Sequence, residues 1–381
     1  MLNGKSKNNN GITLVALVIT IIILLILATI SIQSLTNTGL FAKAQEAKEK
    51  TRNAEENQSR TLNEYEDELN KYISGNIKTP IKKVADNIGK VLSTTDNTEL
   101  QDAYGNKIVV PAGFKIVSDD TTNNSQTVDK GIVIEDATTK ATAGSQFVWI
   151  PIGIITKEDN STITINLDRY TFDGDGNPTA QGENVVETYY SETESKGNTV
   201  AKNITSFKTS VTTNGGYYIG RYEARTTTKR TASENALTQI TEKGTDSVYN
   251  YVTQLQAAQL AQNMYNSNKF TSDLMNSYAW NTATLFLQNC GTNIKYSKQN
   301  SLNTGSVSQM GTTNDIQCNV YDMASNIYEL TTETSTFSNS PCVSRGGAYT
   351  NSNVYTSSHR YDNISNSYDY IGFRPILYIN I

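Results

Sequence analysis

Few side chains in this 381-residue chain could act as nucleophiles, metal ligands or general bases. The three cysteines are Cys290, Cys318 and Cys342, and none of them forms a C-x-x-C pair, so no zinc site is indicated. At most one disulfide can form among them, and their spacing leaves open which pair that is. His359 is the only histidine, which excludes most Ser–His and metal-based catalytic schemes.

Arginines beside glycines are the next candidates, in the blocks Ser344-Arg345-Gly346-Gly347 and Gly372-Phe373-Arg374. We expect both arginines to pin loops through bidentate hydrogen bonds, with Asp322 and Glu329 as their natural partners. The residues assigned to this structural motif are Asp322, Asn326, Glu329, Arg345, Gly346, Gly347, Arg360, Gly372, Phe373 and Arg374.

Alternating acidic residues in 173–177 (DGDGN) invite a calcium-loop interpretation. Pro178 stands where an EF-hand needs glycine, and Asn184 stands where it needs a bidentate glutamate. The pattern therefore favours a turn between two strands.

Residues 349–370 are rich in Asn, Ser, Thr, Tyr and Asp. Tyrosine offers large, rigid contacts at low entropy cost, and Ser and Asn offer adaptable hydrogen bonds. The segment is typical of a ligand-binding surface, although a polar loop in an Asn- and Tyr-rich protein is the plainer alternative. The predicted contact residues are Tyr349, Asn351, Asn353, Tyr355, Ser357, Tyr361, Asn363, Asn366, Tyr368 and Tyr370.

The elements that would carry these residues begin with an apolar run over residues 12–32 that holds no ionisable side chain. A helix of about 20 such residues spans a hydrocarbon core of roughly 30 Å. This predicts a transmembrane helix over 12–33. Lys5 and Lys7 precede it, so the positive-inside rule predicts a single-pass protein of the cell membrane, with a cytoplasmic N-terminus and an extracellular C-terminal domain.

Composition and periodicity set the remaining boundaries. Residues 34–74 are rich in helix formers and predict a stalk helix, 75–100 a linker, and 101–381 a head domain. Within the head, short apolar runs beside turn residues predict strands that include 108–110 and 147–151, and helices are predicted over 255–265 and 272–287. The net charge of −5 argues against nucleic acid as a partner, because no basic stripe exists to neutralise phosphates.

The first forty residues resemble a type IV pilin. A basic, Asn-rich leader over 1–11 ends in Gly11, and Ile12-Thr13-Leu14-Val15 open the apolar helix. The resemblance implies cleavage between Gly11 and Ile12 by a prepilin peptidase, methylation of the new N-terminus, and other pilin subunits as partners, in a pilus. Pilins usually carry glutamate where Ala16 stands, so assembly as a major subunit is in doubt.

Three ordered C-terminal blocks are similar to the formylglycine-generating enzyme family: 319–329 (NVYDMASNIYE), 344–349 (SRGGAY) and 371–375 (IGFRP). The resemblance implies a C-type-lectin-like fold and a calcium ion on Asn326 and Glu329; we otherwise expect no cofactor. The family's catalytic cysteine pair has no counterpart in 349–360, where Asn351 and Thr356 stand instead, so we expect no enzymatic activity. Residues 349–370 also resemble the variable region of diversity-generating retroelement targets.

The sequence thus predicts an α+β protein, with a long N-terminal membrane and stalk helix before a C-type-lectin-like head. The predicted function is that of a pilin-like cell-surface adhesin or receptor, whose non-catalytic head binds a protein or glycan ligand. The alternative is a structural minor pilin or pseudopilin of a filament or secretion system.

Overall fold

A computed structural model of the protein describes residues 14–37, scattered positions between 43 and 66, and 81–117, 126–181, 204–234, 240–308, 314–335 and 337–381. The chain divides into two compact units, Met1–Pro80 and Ile81–Ile381.

The first unit contains helix α1, Leu14–Asn37. Its described side chains, residues 16–30, are apolar or hydroxylic and exposed. The Thr20 hydroxyl donates to the Ala16 carbonyl at 2.7 Å, and that of Thr29 donates to the Leu25 carbonyl at 2.5 Å. The hydroxyls are therefore satisfied within the helix.

In the part of the chain that the structure describes, no helix is both long enough and apolar enough to cross a membrane. The predicted transmembrane helix over 12–33 and the single-pass membrane localisation are therefore wrong.

The observed fold class is mixed α/β with several sheets, and the described residues contain no long apolar membrane helix, so the predicted fold class, which begins with such a helix, is also wrong. The leader 1–11, with the predicted cleavage site at Gly11 and Ile12, lies outside the described residues, as does most of the predicted stalk over 34–74. The positions described between 43 and 66 are helical.

The second unit contains three further α-helices and twenty-one strands among its described residues. The helices are α2 (Ile204–Asn214), α3 (Gln254–Met264) and α4 (Ser277–Cys290). The strands are β1 (Lys82–Lys83), β2 (Thr98–Gln101), β3 (Lys107–Val110), β4 (Phe114–Ile116), β5 (Val133–Asp136), β6 (Gln146–Pro151), β7 (Gly153–Thr156), β8 (Thr162–Ile165), β9 (Tyr170–Phe172), β10 (Pro178–Ala180), β11 (Gly216–Gly220), β12 (Arg225–Thr226), β13 (Ser247–Val248), β14 (Phe270–Leu274), β15 (Ile316–Gln317), β16 (Val320–Tyr321), β17 (Tyr328–Thr334), β18 (Cys342–Arg345), β19 (His359–Asp362), β20 (Ile371–Phe373) and β21 (Pro375–Ile379).

The main sheet has six antiparallel strands in the order β14-β21-β11-β6-β5-β4. Aromatic rings from both edge strands meet in the core: Phe114 of β4 packs edge-on against Phe270 of β14, with 5.6 Å between ring centroids, and against Phe147 of β6 at 6.3 Å. Burial of such rings, together with the aliphatic residues of the core, favours folding of this unit.

A four-stranded sheet in the order β19-β18-β17-β20 carries the C-terminal motifs. Strands β17 and β20 run parallel, with Glu329 opposite Gly372, while β17 and β18 run antiparallel, with Glu329 opposite Arg345. The register of β17 with β18 shifts between Leu330 and Thr334. Such a bulge re-aims the side chains that follow it.

Helix boundaries follow the capping residues. Thr253 and Gln256 form a reciprocal capping box at the start of α3, close to the predicted helix over 255–265. The helix predicted over 272–287 is wrong at its start, because residues 272–274 belong to β14. Helix α4 begins only after Asn276, whose side chain accepts a hydrogen bond from the Ala279 N–H at 2.9 Å.

Residues 81–100, predicted as part of a linker, lie in the second compact unit. Strand β1 pairs in parallel with β2, and Val84 is fully buried. The 173–177 segment is a turn between β9 and β10, as predicted. There the Asp173 carboxylate accepts hydrogen bonds from the backbone N–H groups of Asp175 and Asn177, both at 2.9 Å.

Candidate functional site

The first arginine–glutamate pair is Arg374 with Glu329, as the motif predicts. The guanidinium donates from Nε to Glu329 Oε2 at 3.0 Å and from Nη2 to Oε1 at 2.5 Å. It also donates to the carbonyls of Gly220 and Tyr321 at 2.9 and 2.8 Å. Burial lowers the pKa of Arg374, but the Glu329 carboxylate outweighs burial and raises that pKa above its usual value. The ion pair therefore joins β17 to the main sheet.

The second pair is Arg345 with Glu333, which the sequence analysis missed. Arg345 donates from Nε and Nη2 to the two carboxylate oxygens, both at 2.7 Å, and Nη2 also donates to Asn281 Oδ1 in α4 at 3.0 Å. Burial raises the pKa of Glu333, but the charge of Arg345 outweighs it and holds that pKa below its usual value. Glu333 lies within the register shift of β17, four residues beyond Glu329 and outside the motif block that ends there.

Further carboxylates surround the Arg374–Glu329 pair. Glu223 is fully buried, and burial followed by the nearby charge of Asp322 raises its pKa to about 8. Glu242 is also fully buried, and among the described residues neither of its carboxylate oxygens has a hydrogen-bond partner. Burial raises the pKa of Glu242 well above its usual value, because an ionised carboxylate is costly in an apolar setting.

The motif glycines allow close packing of backbone against backbone. Gly346 has a φ of +72°, and a Cβ there would meet the Met323 carbonyl. A Cβ on Gly347 would meet Ser301 and the Ala324 carbonyl, and one on Gly372 would meet Ile327. These three positions therefore need glycine for space, and Gly346 needs it for its backbone conformation as well.

The predicted calcium ligands are occupied by protein groups. Asn326 donates from Nδ2 to Glu223 Oε1 at 2.9 Å, and its Oδ1 accepts the Ser308 N–H at 2.8 Å. Glu329 is held by Arg374. Within the described ranges, no group of three or more His, Cys, Asp or Glu residues could hold a metal ion. Calcium binding stays a prediction that these contacts do not favour.

We call residues 349–370, which include β19 and lead into β20, loop 349–370. Hydrogen bonds near the middle of this loop connect it to the core. The Trp280 Nε1 donates to the Thr356 carbonyl at 3.0 Å, and the Thr356 hydroxyl donates to the Tyr296 carbonyl at 2.7 Å. Thr356, one of the two residues standing where the enzyme family has a thiol, is therefore a buried structural residue.

The loop exposes some predicted contact residues and buries others. Tyr349 is only 8% exposed, and its hydroxyl donates to Asp369 Oδ2 at 2.7 Å. The half-buried members are Asn351, Ser357, Tyr361, Asn366 and Tyr370, and the exposed members are Asn353, Tyr355, Asn363 and Tyr368.

A stack of rings and one guanidinium orders the exposed side of the loop. The rings of Tyr368 and Tyr370 stack with 5.1 Å between centroids and 19° between planes. The Arg360 guanidinium lies 4.8 Å from the Tyr328 ring and 5.1 Å from the Tyr370 ring. Arg360 also pairs with Asp362 at 3.1 Å. The tyrosines are therefore held in place by cation–π and ring contacts.

A cavity of about 420 Å³ lies beside this stack. Tyr349 and Asp369 form part of its wall together with Lys229, Asn250 and the segment Gly305–Ser308. Its size falls within the range of small-ligand sites. Tyr251, which also lines it, has a φ of +53°, an uncommon conformation for a tyrosine.

Sequence reasoning missed several residues of this region. Phe337 and Ile364 are exposed apolar residues, and Phe337 packs edge-on against Tyr361 with 5.1 Å between centroids. Phe337 lies outside the polar segment that marked the loop. An apolar residue inside a polar loop, such as Ile364, was a signal that could have been used.

No protein-family model matches the sequence, and no curated protein matches it. Among solved structures, Treponema denticola variable protein 1 is similar over 63% of this chain and 98% of its own length, with a TM-score of 0.36 and 12% sequence identity. A TM-score of 0.36 is too low to support a conclusion about the fold or the function of this chain. None of these three comparisons supports the predicted resemblances to type IV pilins and to the formylglycine-generating enzyme family, or a structural role as a minor pilin.

Proposed function

We propose that residues 81–381 form a non-catalytic ligand-binding domain, and that loop 349–370 presents its recognition surface to a protein or glycan. The observation that carries the proposal is the stack of Tyr368, Tyr370 and Arg360. Tyr368 is 42% exposed, yet its ring is held against that of Tyr370.

An exposed ring that is already fixed loses little entropy when a ligand covers it. Ordering a free side chain at an interface costs about 0.5–1.5 kcal/mol. Tyrosine combines a large apolar surface with a hydroxyl that can hydrogen-bond, which suits it to recognition. Exposed Asn353 and Asn363 lie in the same loop and supply polar groups.

The buried ion pairs support the same proposal because they fix both ends of the loop. Arg345 ends β18 before the loop begins, and Arg374 directly follows β20, into which the loop leads. A loop anchored at both ends by buried, hydrogen-bonded charges presents its tip in a defined geometry.

Residues 349–360 contain no cysteine, which favours binding over the oxidase chemistry of the formylglycine-generating enzyme family that the sequence resembles. His359 fits the same view. Burial, followed by the charge of Arg345, lowers its pKa to about 3, so His359 is neutral near pH 7. It can therefore supply no proton as a general acid at that pH.

The test uses two defined probes, a glycan array and a phage-displayed random peptide library, each offered to the purified full chain. Binders selected on the wild-type protein are measured against Tyr368→Ala and Asn363→Ala, and against Ile154→Ala as a matched exposed control. Ile154 is 73% exposed and lies on strand β7, outside the loop.

We expect the selected binders to lose at least tenfold in affinity on the two loop variants and to be unchanged on the control. Circular dichroism and thermal unfolding check that all three variants remain folded. Binders that tolerate both loop variants, or that are lost equally on Ile154→Ala, would show that loop 349–370 is not the recognition surface.

A further inference from the structure

Cys290 and Cys318 are distant in sequence but lie in one region of the core. Cys290 is the last residue of α4, and Cys318 lies in the turn between β15 and β16. Cys290 belongs to the buried hydrophobic core, and Cys318 packs against that core. Both are free thiols.

The chain segments that carry the two cysteines are joined by hydrogen bonds next to them. The Gln317 Oε1 atom accepts from the Thr292 N–H at 2.7 Å and from the Asn293 N–H at 3.2 Å. A Cβ on Gly291 would meet the Gln317 side chain, so the backbone after Cys290 passes close beside the residue before Cys318.

Asp129 is a neighbour of both thiols. The Cys318 Sγ donates to the Asp129 carbonyl at 3.6 Å. Burial, followed by the charge of Asp129, raises the pKa of the Cys290 thiol to about 12. Burial, followed by the proximity of Cys290, raises the pKa of the Cys318 thiol well above its usual value. The chain segments that carry the two thiols therefore lie side by side, with Cys318 against Asp129.

Cys342 stands apart from this pair. It begins β18, where it lies opposite Asp362 of β19 and Thr334 of β17. Its strand belongs to the four-stranded sheet, whereas α4 and the β15–β16 hairpin carry the other two cysteines. Cys342 therefore serves as an internal control for the chemistry of the pair.

We propose that Cys290 and Cys318 form a redox-dependent disulfide that closes residues 290–318 into a covalent loop. A small-molecule disulfide such as oxidised glutathione is the electron acceptor. Two protein thiols give up two protons and two electrons, one protein S–S bond forms, and the oxidant is reduced to two thiols. The exchange passes through a mixed disulfide with one of the cysteines.

The closed loop contains Gly305–Ser308, which forms part of the cavity wall beside loop 349–370. It also contains Asp315, whose carboxylate accepts the Ala324 N–H at 2.8 Å and the Tyr296 hydroxyl at 2.9 Å. A disulfide restricts the unfolded chain between its cysteines and so stabilises the folded loop. Oxidation should therefore stabilise the folded state of the segment that carries one wall of the cavity.

Because the pKa values of both thiols are raised, the thiols are largely protonated near pH 7, and the thiolate is the species that exchanges. Oxidation of the folded protein should accordingly be slow. The experiment therefore refolds the full chain from denaturant in a glutathione buffer that contains the oxidised form, with a fully reduced sample in parallel. After acid quenching and denaturation, N-ethylmaleimide labels the remaining thiols, which are counted by intact mass and located by peptide mapping.

The expected result is one label, on Cys342, in the oxidised sample and three labels in the reduced sample. Cys342→Ser should still form the bond, whereas Cys290→Ser and Cys318→Ser should not. The Tm of the wild type and of Cys342→Ser should be higher after oxidation. Three labels after oxidation of the wild type, or an S–S bond that includes Cys342, would overturn the proposal. The wild-type label count decides this even where a variant does not fold.

Discussion

The buried ion-pair centre and loop 349–370 are neighbours in the chain, but they differ in burial, charge and hydrogen bonding. The buried ion-pair centre, Arg345–Glu333 and Arg374–Glu329, has side chains that are at most 1% exposed, and each pair is joined by two hydrogen bonds. Loop 349–370 lies between those two arginines and exposes Asn353, Tyr355, Asn363 and Tyr368. The contrast shows how a short stretch can combine a rigid base with a solvent-facing surface.

The difference follows from the cost of burying charge. An ionised group in the interior needs a partner and complete hydrogen bonding, so each arginine accepts few alternative positions. Exposed amides and hydroxyls keep their hydrogen bonds to water and constrain the backbone little. We therefore expect substitutions in the two regions to act on different properties, stability in the first and binding in the second.

The largest expected effect comes from breaking a buried ion pair. Arg374→Ala leaves Glu329 buried without its partner, which should lower the free energy of unfolding by about 3–5 kcal/mol. Urea denaturation measures the change. Lys269→Ala is the matched control, since it removes an ion pair with Asp96 in which the side chains are 40% and 67% exposed. That variant should lose less than about 1 kcal/mol.

If Arg374→Ala does not fold, Arg374→Lys replaces it. Lysine keeps the charge but cannot make the bidentate contact, so an intermediate loss is expected. An Arg374 variant as stable as Lys269→Ala would contradict the assignment of this pair as the rigid base of the loop.

The next largest effect is a pH dependence located at Glu223. Because its pKa is raised from 4.5 to about 8 on folding, the folded state binds more protons than the unfolded state between those values. Stability from this group is therefore lost as the pH rises towards 8, with a slope of at most about 1.4 kcal/mol per pH unit. The groups whose charges act on Glu223 are Asp322, Arg225, Arg374 and Glu329.

Glu223→Gln isolates this contribution, since its amide oxygen can still accept from Asn326. Urea denaturation between pH 6.5 and 8.5 should show the wild type losing stability relative to the variant, with the difference levelling off above pH 8. Parallel stability curves over that range would contradict the raised pKa and the burial that causes it.

The smallest expected effect on stability belongs to the exposed loop. Asn353→Ala should change the free energy of unfolding by no more than about 0.5 kcal/mol, because Asn353 is exposed and surface substitutions rarely exceed that value. Thermal unfolding measures it. A loss comparable to that of Arg374→Ala would mean that the loop and the ion-pair centre do not differ as described.

Part of this arrangement could be predicted from local pattern. Short apolar runs bounded by turn residues predicted strands at 108–110 and 147–151, which β3 and β6 confirm. The spacing of acidic residues and arginines beside glycines also indicated the Arg374–Glu329 pair. These features depend on residues close in sequence or on strong pairing chemistry, which sequence alone records.

Other predictions failed where distant contacts decided the outcome. Arg345 pairs with Glu333, because the register shift in β17 lies between Leu330 and Thr334 and directs Glu333 to it. Residues 272–274 form a strand because β21 lies beside them, with Leu274 opposite Pro375. No local periodicity encodes either contact.

The amino-acid sequence by itself determined which residues could carry charge inside the protein and which segment would be polar. Because residues 349–360 contain no cysteine, the sequence also excluded catalytic thiols from that segment. Only the tertiary structure decided that Tyr349 lies buried on Asp369 while Tyr368 faces solvent, and that the backbone after Cys290 packs against Gln317, the residue before Cys318. Burial and proximity arise from packing between segments far apart in the chain, and the chain order alone does not specify them.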